Sequence, residues 1–427
     1  MNRSFVSFPI TDFKDCKKQL LNWANQFETC CFLDNHNYRL PHQTHECILA
    51  AGVVKHISSE PGDAFQTLQL FVDSEKDWVF GHLSYDLKNE LEQLESDHED
   101  GVGFPGLFFF VPQTIIILND DEISVGSLTL NPEIIVNQIL NYVLPAPSAQ
   151  SPVKLQSRFS KQEYLNTIQK LQNHILRGDC YEINFCQEFY TNNAQFNPLQ
   201  LYFALSDISP NPFSAFYKIG DRFLCCASPE RYLKKEGNIL FSQPIKGTSP
   251  RNNESETIDE QNKRALFNSA KERTENVMIV DLVRNDLSKV CEEGTVVVDE
   301  LYGIYSFPQV HQMISTVSGK IKEGIHFVDA IKATFPMGSM TGAPKKRVME
   351  LIEKYEKTKR GLFSGAVGYI SPTSDFDFNV VIRSVLINRE EKYLSFQVGS
   401  AITMASDPEK EFEECLLKAE AILKALC

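Results

Sequence analysis

Three apolar runs near the C-terminal end, GAVGYIS (365–371), NVVIRSVLIN (379–388) and YLSFQVG (393–399), follow one another with only short polar breaks. Each reads as a strand, and a helical pattern from about Pro408 to Leu426 closes the chain. Strands and helices that cluster in this way, rather than alternating strictly, favour an α+β fold over a doubly wound sheet. The N-terminal third adds more strand-like runs, CILAAGVV, TLQLFV and LFFFV, and FGHLSYDLKNELE reads as a strand passing into a helix.

Between these parts lies LPAPSAQSPVKLQS (144–157), rich in Pro, Ser and Gln and without periodicity. It divides an N-terminal region, 1–143, from a longer one, 157–427, the two expected to form one compact unit. The second region opens with a helix, SKQEYLNTIQKLQNHILRG, in which Ser160 and Glu163 have capping-box spacing and Gly178 is a stop. Strand-like runs follow at Phe213–Ile219, Phe223–Ala227 and Ile239–Ser242. A long helical pattern covers roughly Ile258 to Met278, with a break expected near Arg284–Asp286. A further helix begins at Pro344.

Composition narrows the function classes. A net charge of -14 argues against a nucleic-acid partner, which calls for a basic surface. The most apolar segments, GLFFFV and TIIIL, are far too short to cross a bilayer, so no membrane partner is expected. Eleven cysteines without a CxxC pair fit a reduced, cytoplasmic setting with structural thiols. Neither GxGxxG nor GxxxxGK[ST] occurs.

Several residues stand out chemically. Glu272 and Glu275, and again Glu411 and Glu414, are three apart on helical patterns, so each pair shares a helix face. Acidic residues also suit the first turns of a helix for electrostatic reasons alone. If the two helices face each other, four carboxylates converge and require protonation or a cation, for which hard oxygen donors favour magnesium. Lys246 follows a strand and lies beside Pro244 and Ile245; desolvation there would depress its pKa and suit it as base or nucleophile, whereas a loop-tip lysine would pair with a carboxylate. In FPMGSMTGAPKKR, Gly338 and Gly342 permit close backbone approach, and Lys345 and Lys346 at a helix start suggest anion binding. Arg383 in an apolar run needs a partner if buried, and a ligand carboxylate would supply one. Tyr369 is either a core tyrosine or a ligand hydroxyl donor.

The segments DLVRNDLSKVC, FPMGSMTGAPKKR, RGLFSGAVGYIS and SDPEKEFEECLLKA, in that order, resemble the chorismate-utilising enzymes over residues 157–424, and YDLKNELE is similar to their N-terminal region. The resemblance implies an anthranilate-synthase-like α+β fold, with antiparallel sheets packed together, helices outside and an active site in the central cleft. PIKGT, with Lys246, is similar to the aminodeoxychorismate-forming branch; the anthranilate-forming branch typically has alanine there. That likeness implies attack of Lys246 on ring carbon 2 of chorismate, then addition of ammonia at carbon 4, giving 4-amino-4-deoxychorismate for p-aminobenzoate and folate synthesis. It further implies Mg2+ held by Glu275 and Glu414, with Glu272 and Glu411 acting directly or through water. Tyr369 and Arg383 would bind the enolpyruvyl carboxylate, helped by backbone N–H groups near Gly399 and Ser400. Ser339 would lie close to substrate, and Glu230 would transfer protons. Where several relatives have histidine this chain has Gln312, with His311 just before it, which speaks against an active-site role for His311. No Gly-x-Cys-x-Gly turn of an amidotransferase occurs, so ammonia is expected from a separate glutamine amidotransferase subunit. The competing readings are an anthranilate synthase component I, a non-catalytic partner-binding subunit, and a Schiff-base lyase using Lys246.

Overall fold

The computed structural model describes residues 3–38, 41–146, 153–252, 254–307 and 310–427. Residues 147–152 of the segment 144–157 lie outside the described residues.

The fold is α+β, and its strands pair antiparallel throughout the described ladders. One sheet runs from Phe5–Pro9 through Glu122–Ser127, Leu107–Leu118, Cys47–Ser59, Thr29–Asp34, Phe213–Ile219, Arg222–Ser228, Ser384–Asn388 and Tyr393–Ile402 to Glu182–Thr191. The other runs from Val79–Leu83 through Ala366–Ile370, Phe376–Asn379, Arg231–Glu236 and Ile239–Gln243 to Val310–Lys320, whose far end pairs with both Ile245–Pro250 and Val297–Ser306. The long strand Leu107–Leu118 also pairs with Val79–Leu83 and so joins the two. Strands from before and after the Pro-rich segment are therefore hydrogen-bonded to one another.

Strand alternation explains the adjacent cysteines. Side chains on a strand point to opposite faces in turn. Cys31 and Cys226 accordingly enter the core shared by the two sheets, whereas Cys30 and Cys225 enter a second core on the outer face of the first sheet. That outer core is covered by helices, including Lys161–Leu176 and Pro408–Ala425, which bury Ile168 and Leu171, and Cys415, Ala419 and Ile422. The Ser160–Glu163 capping box forms as its spacing predicts.

Three local expectations are corrected. TLQLFV lies in a helix, Ala64–Ser74, because Leu68, Phe71 and Val72 bury one face at helical spacing. The helical pattern after Ser255 is interrupted at Ser269, which is extended and caps the next helix, and not near Arg284–Asp286; the second helix runs unbroken over Ala270–Ser288. NVVIRSVLIN is not one strand: pairing stops after Asn379 and resumes at Ser384, and Arg383 between them has φ +52. Among the described residues no helix is long and apolar enough to cross a membrane.

Candidate active site

A cleft of about 1050 Å³ opens beside the end of the second sheet, walled by Ile245–Pro250, Ala270–Ser288, Tyr393–Ile402 and Pro408–Ala425. Lys246 reaches it through a bulge. Ile245 lies opposite Ile314 but Thr248 opposite Gln312, so Lys246 and Gly247 together face Met313 alone. Gly247 takes φ +93, which a side chain rarely tolerates, and a Cβ there would stand 3.1 Å from both Glu272 Oε2 and Leu266 Cδ1.

Lys246 Nζ donates to Oε1 of Glu182 at 3.0 Å, and both side chains are largely removed from solvent. Burial acts to lower the lysine pKa, but Glu182, Glu275 and Glu414 more than offset it, and the net direction is upward. The expected depression is thus reversed, because several carboxylates face one ammonium. Glu230, buried beside Ser339 and Lys246, behaves the other way: burial pushes its carboxyl up to about 7 against the pull of those two neighbours. A group of that kind can hold or release a proton near neutral pH.

Glu272, Glu275 and Glu414 all line the cleft. Burial pushes Glu275 up to about 7 and also raises Glu272. Burial would raise Glu414 too, but Lys418, 2.8 Å away, helps to lower it overall. Glu411 is buried and does not line the cleft. Lys271 Nζ stands 3.8 Å from Glu275 and 3.9 Å from Glu411, tying the two helices together. Among the described residues, the one group of three potential ligands drawn within 4.8 Å of each other is Asp34, Glu46 and Cys47, elsewhere in the fold. The cleft carboxylates nevertheless fit a hard divalent cation: all donors are oxygen, they come from two facing helices, and burial disfavours their charged forms without a counter-ion.

Of the other expected site residues, Ser339, Arg383 and Gly399 line the cleft. Arg383 is held without a salt bridge among the described residues, its pKa lowered by burial although Glu414 opposes this. Gly399 must lack a side chain, since a Cβ would stand 2.4 Å from Cys186 Sγ and 2.5 Å from Phe185 O. Two expectations are corrected. Tyr369 lies outside the cleft, against Trp78 and Phe80 and on a separate cavity of about 60 Å³; the same segment sends Phe363 into the cleft instead. The Ser400 side chain is fully buried, and the expectation at that position concerns the backbone N–H groups beside Gly399. Lys345 is no anion site either: buried, it bonds to Asp286 Oδ2 at 2.5 Å and to Thr334 O at 3.1 Å. His311 spends both ring nitrogens on Ser306 and Asp259.

Glu182, Lys271 and Lys418 escaped the sequence reading. Only Glu182 carried a signal, an acidic residue in the strand-like run CYEINFC, where burial demands a partner.

A family model described as chorismate binding enzyme matches residues 28–424. The chain belongs to the chorismate-binding enzyme family. Among relatives of known name, a chloroplastic aminodeoxychorismate synthase of Arabidopsis thaliana is 40% identical over 313 residues, 72% of this chain and 33% of that protein. The chain thus spans about a third of the length of that plant relative. Aminodeoxychorismate synthase component 1 of Bacillus subtilis is 31% identical over 82% of this chain and 76% of its own length. The solved structure of anthranilate synthase component I from Streptococcus pneumoniae superposes with a TM-score of 0.77 at 26% identity, covering 91% of this chain and 95% of that one. In this chorismate-binding enzyme the cleft that holds Lys246 lies within the matched region.

Proposed function

We propose that this protein aminates chorismate at ring carbon 4 with ammonia, giving 4-amino-4-deoxychorismate. The observation that carries the reading is Lys246, paired with Glu182 and facing Glu230, in a carboxylate-lined cleft. Relatives named aminodeoxychorismate synthase, among them component 1 proteins, support it. Component naming also supports a separate subunit that releases ammonia from glutamine, with free ammonia as substitute.

In this mechanism Lys246 gives up a proton, for which Glu182 is the bonded acceptor, and its nitrogen attacks carbon 2. The diene shifts and the carbon 4 hydroxyl departs as water, taking its proton from Glu230. Ammonia then forms a bond to carbon 4 as the bond from carbon 2 to Lys246 breaks. Splitting one difficult displacement into two is what a covalent nucleophile achieves. Arg383 would hold a substrate carboxylate, with Ser339 and Gly399 shaping the wall. Glu275 and Glu414, with Glu272, would hold Mg2+, which when bound neutralises a substrate carboxylate and polarises the ring.

The test is product formation from chorismate, Mg2+ and ammonium by the full chain and by Lys246→Ala. We expect a product that yields p-aminobenzoate only after a separate lyase is added. The variant should lose this activity by about a thousandfold or more while still binding chorismate. Fluorescent anthranilate without a lyase, or full activity in the variant, would overturn the proposal.

A further inference from the structure

Gln312 is 1% exposed, yet it lines the cleft and its Oε1 has no hydrogen-bond partner among the described residues. Its backbone is fixed on both sides, opposite Thr248 in one neighbouring strand and Tyr305 in the other. The side chain therefore stands on the wall just past the bulge that presents Lys246. A buried amide oxygen left unpaired in a well-satisfied sheet points to a donor that arrives with a ligand.

We infer that Gln312 Oε1 receives an N–H of the incoming ammonia and aims its lone pair at carbon 4; this rests on the amination reading above. The neighbouring acidic groups of the cleft suit this task poorly. Glu272, Glu275 and Glu414 would hold ammonium, which has no lone pair to donate, and Glu230 serves the departing hydroxyl. A neutral amide oxygen accepts a hydrogen bond without stabilising the protonated form. Chemistry at this wall balances: ammonia's lone pair forms the bond to carbon 4, and the bond from carbon 2 to Lys246 breaks. The proton shed by the new carbon 4 ammonium equals the one the released lysine nitrogen takes up.

Initial rates of the full chain, with Gln312→Met and Gln312→Glu, decide the matter when ammonium and chorismate are varied separately. Gln312→Met keeps the volume but removes the acceptor, and should raise the KM for ammonia at least tenfold while the KM for chorismate stays within twofold. Gln312→Glu, nearly isosteric, should also raise the KM for ammonia, and serves if the methionine variant fails to fold. An unchanged KM for ammonia in a folded variant, or an equal rise for both substrates, would overturn the inference. If wild-type protein forms no aminated product, the amination reading itself fails and this inference falls with it; amination by wild type with an unmoved ammonia KM sinks the Gln312 role alone.

Discussion

Lys246 and Glu182 form a 3.0 Å ion pair in which the second carboxylate oxygen, Oε2, is buried and has no hydrogen-bond partner among the described residues. The pair holds the lysine in its charged, non-nucleophilic form. Burial lowers the lysine pKa and Glu182 is the foremost of the groups raising it. Glu182→Gln should therefore shift the lysine pKa down and move the acidic limb of the kcat/KM profile to lower pH by about one unit, equivalent to about 1.4 kcal/mol. A pH–rate profile measured at saturating Mg2+ checks this. An unmoved limb would mean that Glu182 does not govern the protonation of Lys246.

Magnesium affinity should depend on pH through Glu275. Its carboxyl is pushed up to about 7 by burial, so protons compete with the cation below that value. Each unit of pH below about 7 should weaken Mg2+ binding roughly tenfold per proton displaced. In the metal-free protein the pH dependence of stability runs the opposite way: a raised carboxyl stabilises fully below its unfolded value and that contribution is lost as pH rises through about 7. The contribution is on the order of 3 kcal/mol. Thermal melts should show a larger gain in Tm from Mg2+ at pH 8 than at pH 6, and Glu275→Gln should abolish the difference.

Arg383 is poised without a salt-bridge partner among the described residues. Arg383→Ala should raise the KM for chorismate by about 10- to 150-fold, the range of a charge-assisted hydrogen bond worth about 1.5–3 kcal/mol. Arg383→Lys should recover only part of this, since an ammonium lacks the planar fork. Calorimetric titration with chorismate at fixed Mg2+ measures the loss directly, and wild-type affinity in the alanine variant would remove the residue from the site.

Gly399→Ala places a methyl group against Cys186 Sγ and the Phe185 carbonyl. The backbone cannot yield without breaking the ladder between Tyr393–Ile402 and Glu182–Thr191. We expect a loss of about 1–3 kcal/mol in urea unfolding, together with reduced activity, because Glu182 lies on the strand that would shift.

The sequence by itself determined the α+β class, the capping box at Ser160, the acidic pairs on two helices and the ordered motifs that place Lys246, Glu230, Ser339, Arg383 and Gly399 in one region. These depend on local periodicity and on residue type, which the linear chain displays. The tertiary structure decided what the chain could not display: which strand faces which. Tyr369 was misplaced because the packing of its strand turns the ring toward Trp78 and Phe80, and the linear chain does not display which face meets the cleft. The Lys246 pKa was misjudged for the same reason. Its sign depends on Glu182, 64 residues away in sequence, and on carboxylates from two helices, all brought within reach by the pairing of Ile245–Pro250 with Val310–Lys320 and the docking of those helices beside it.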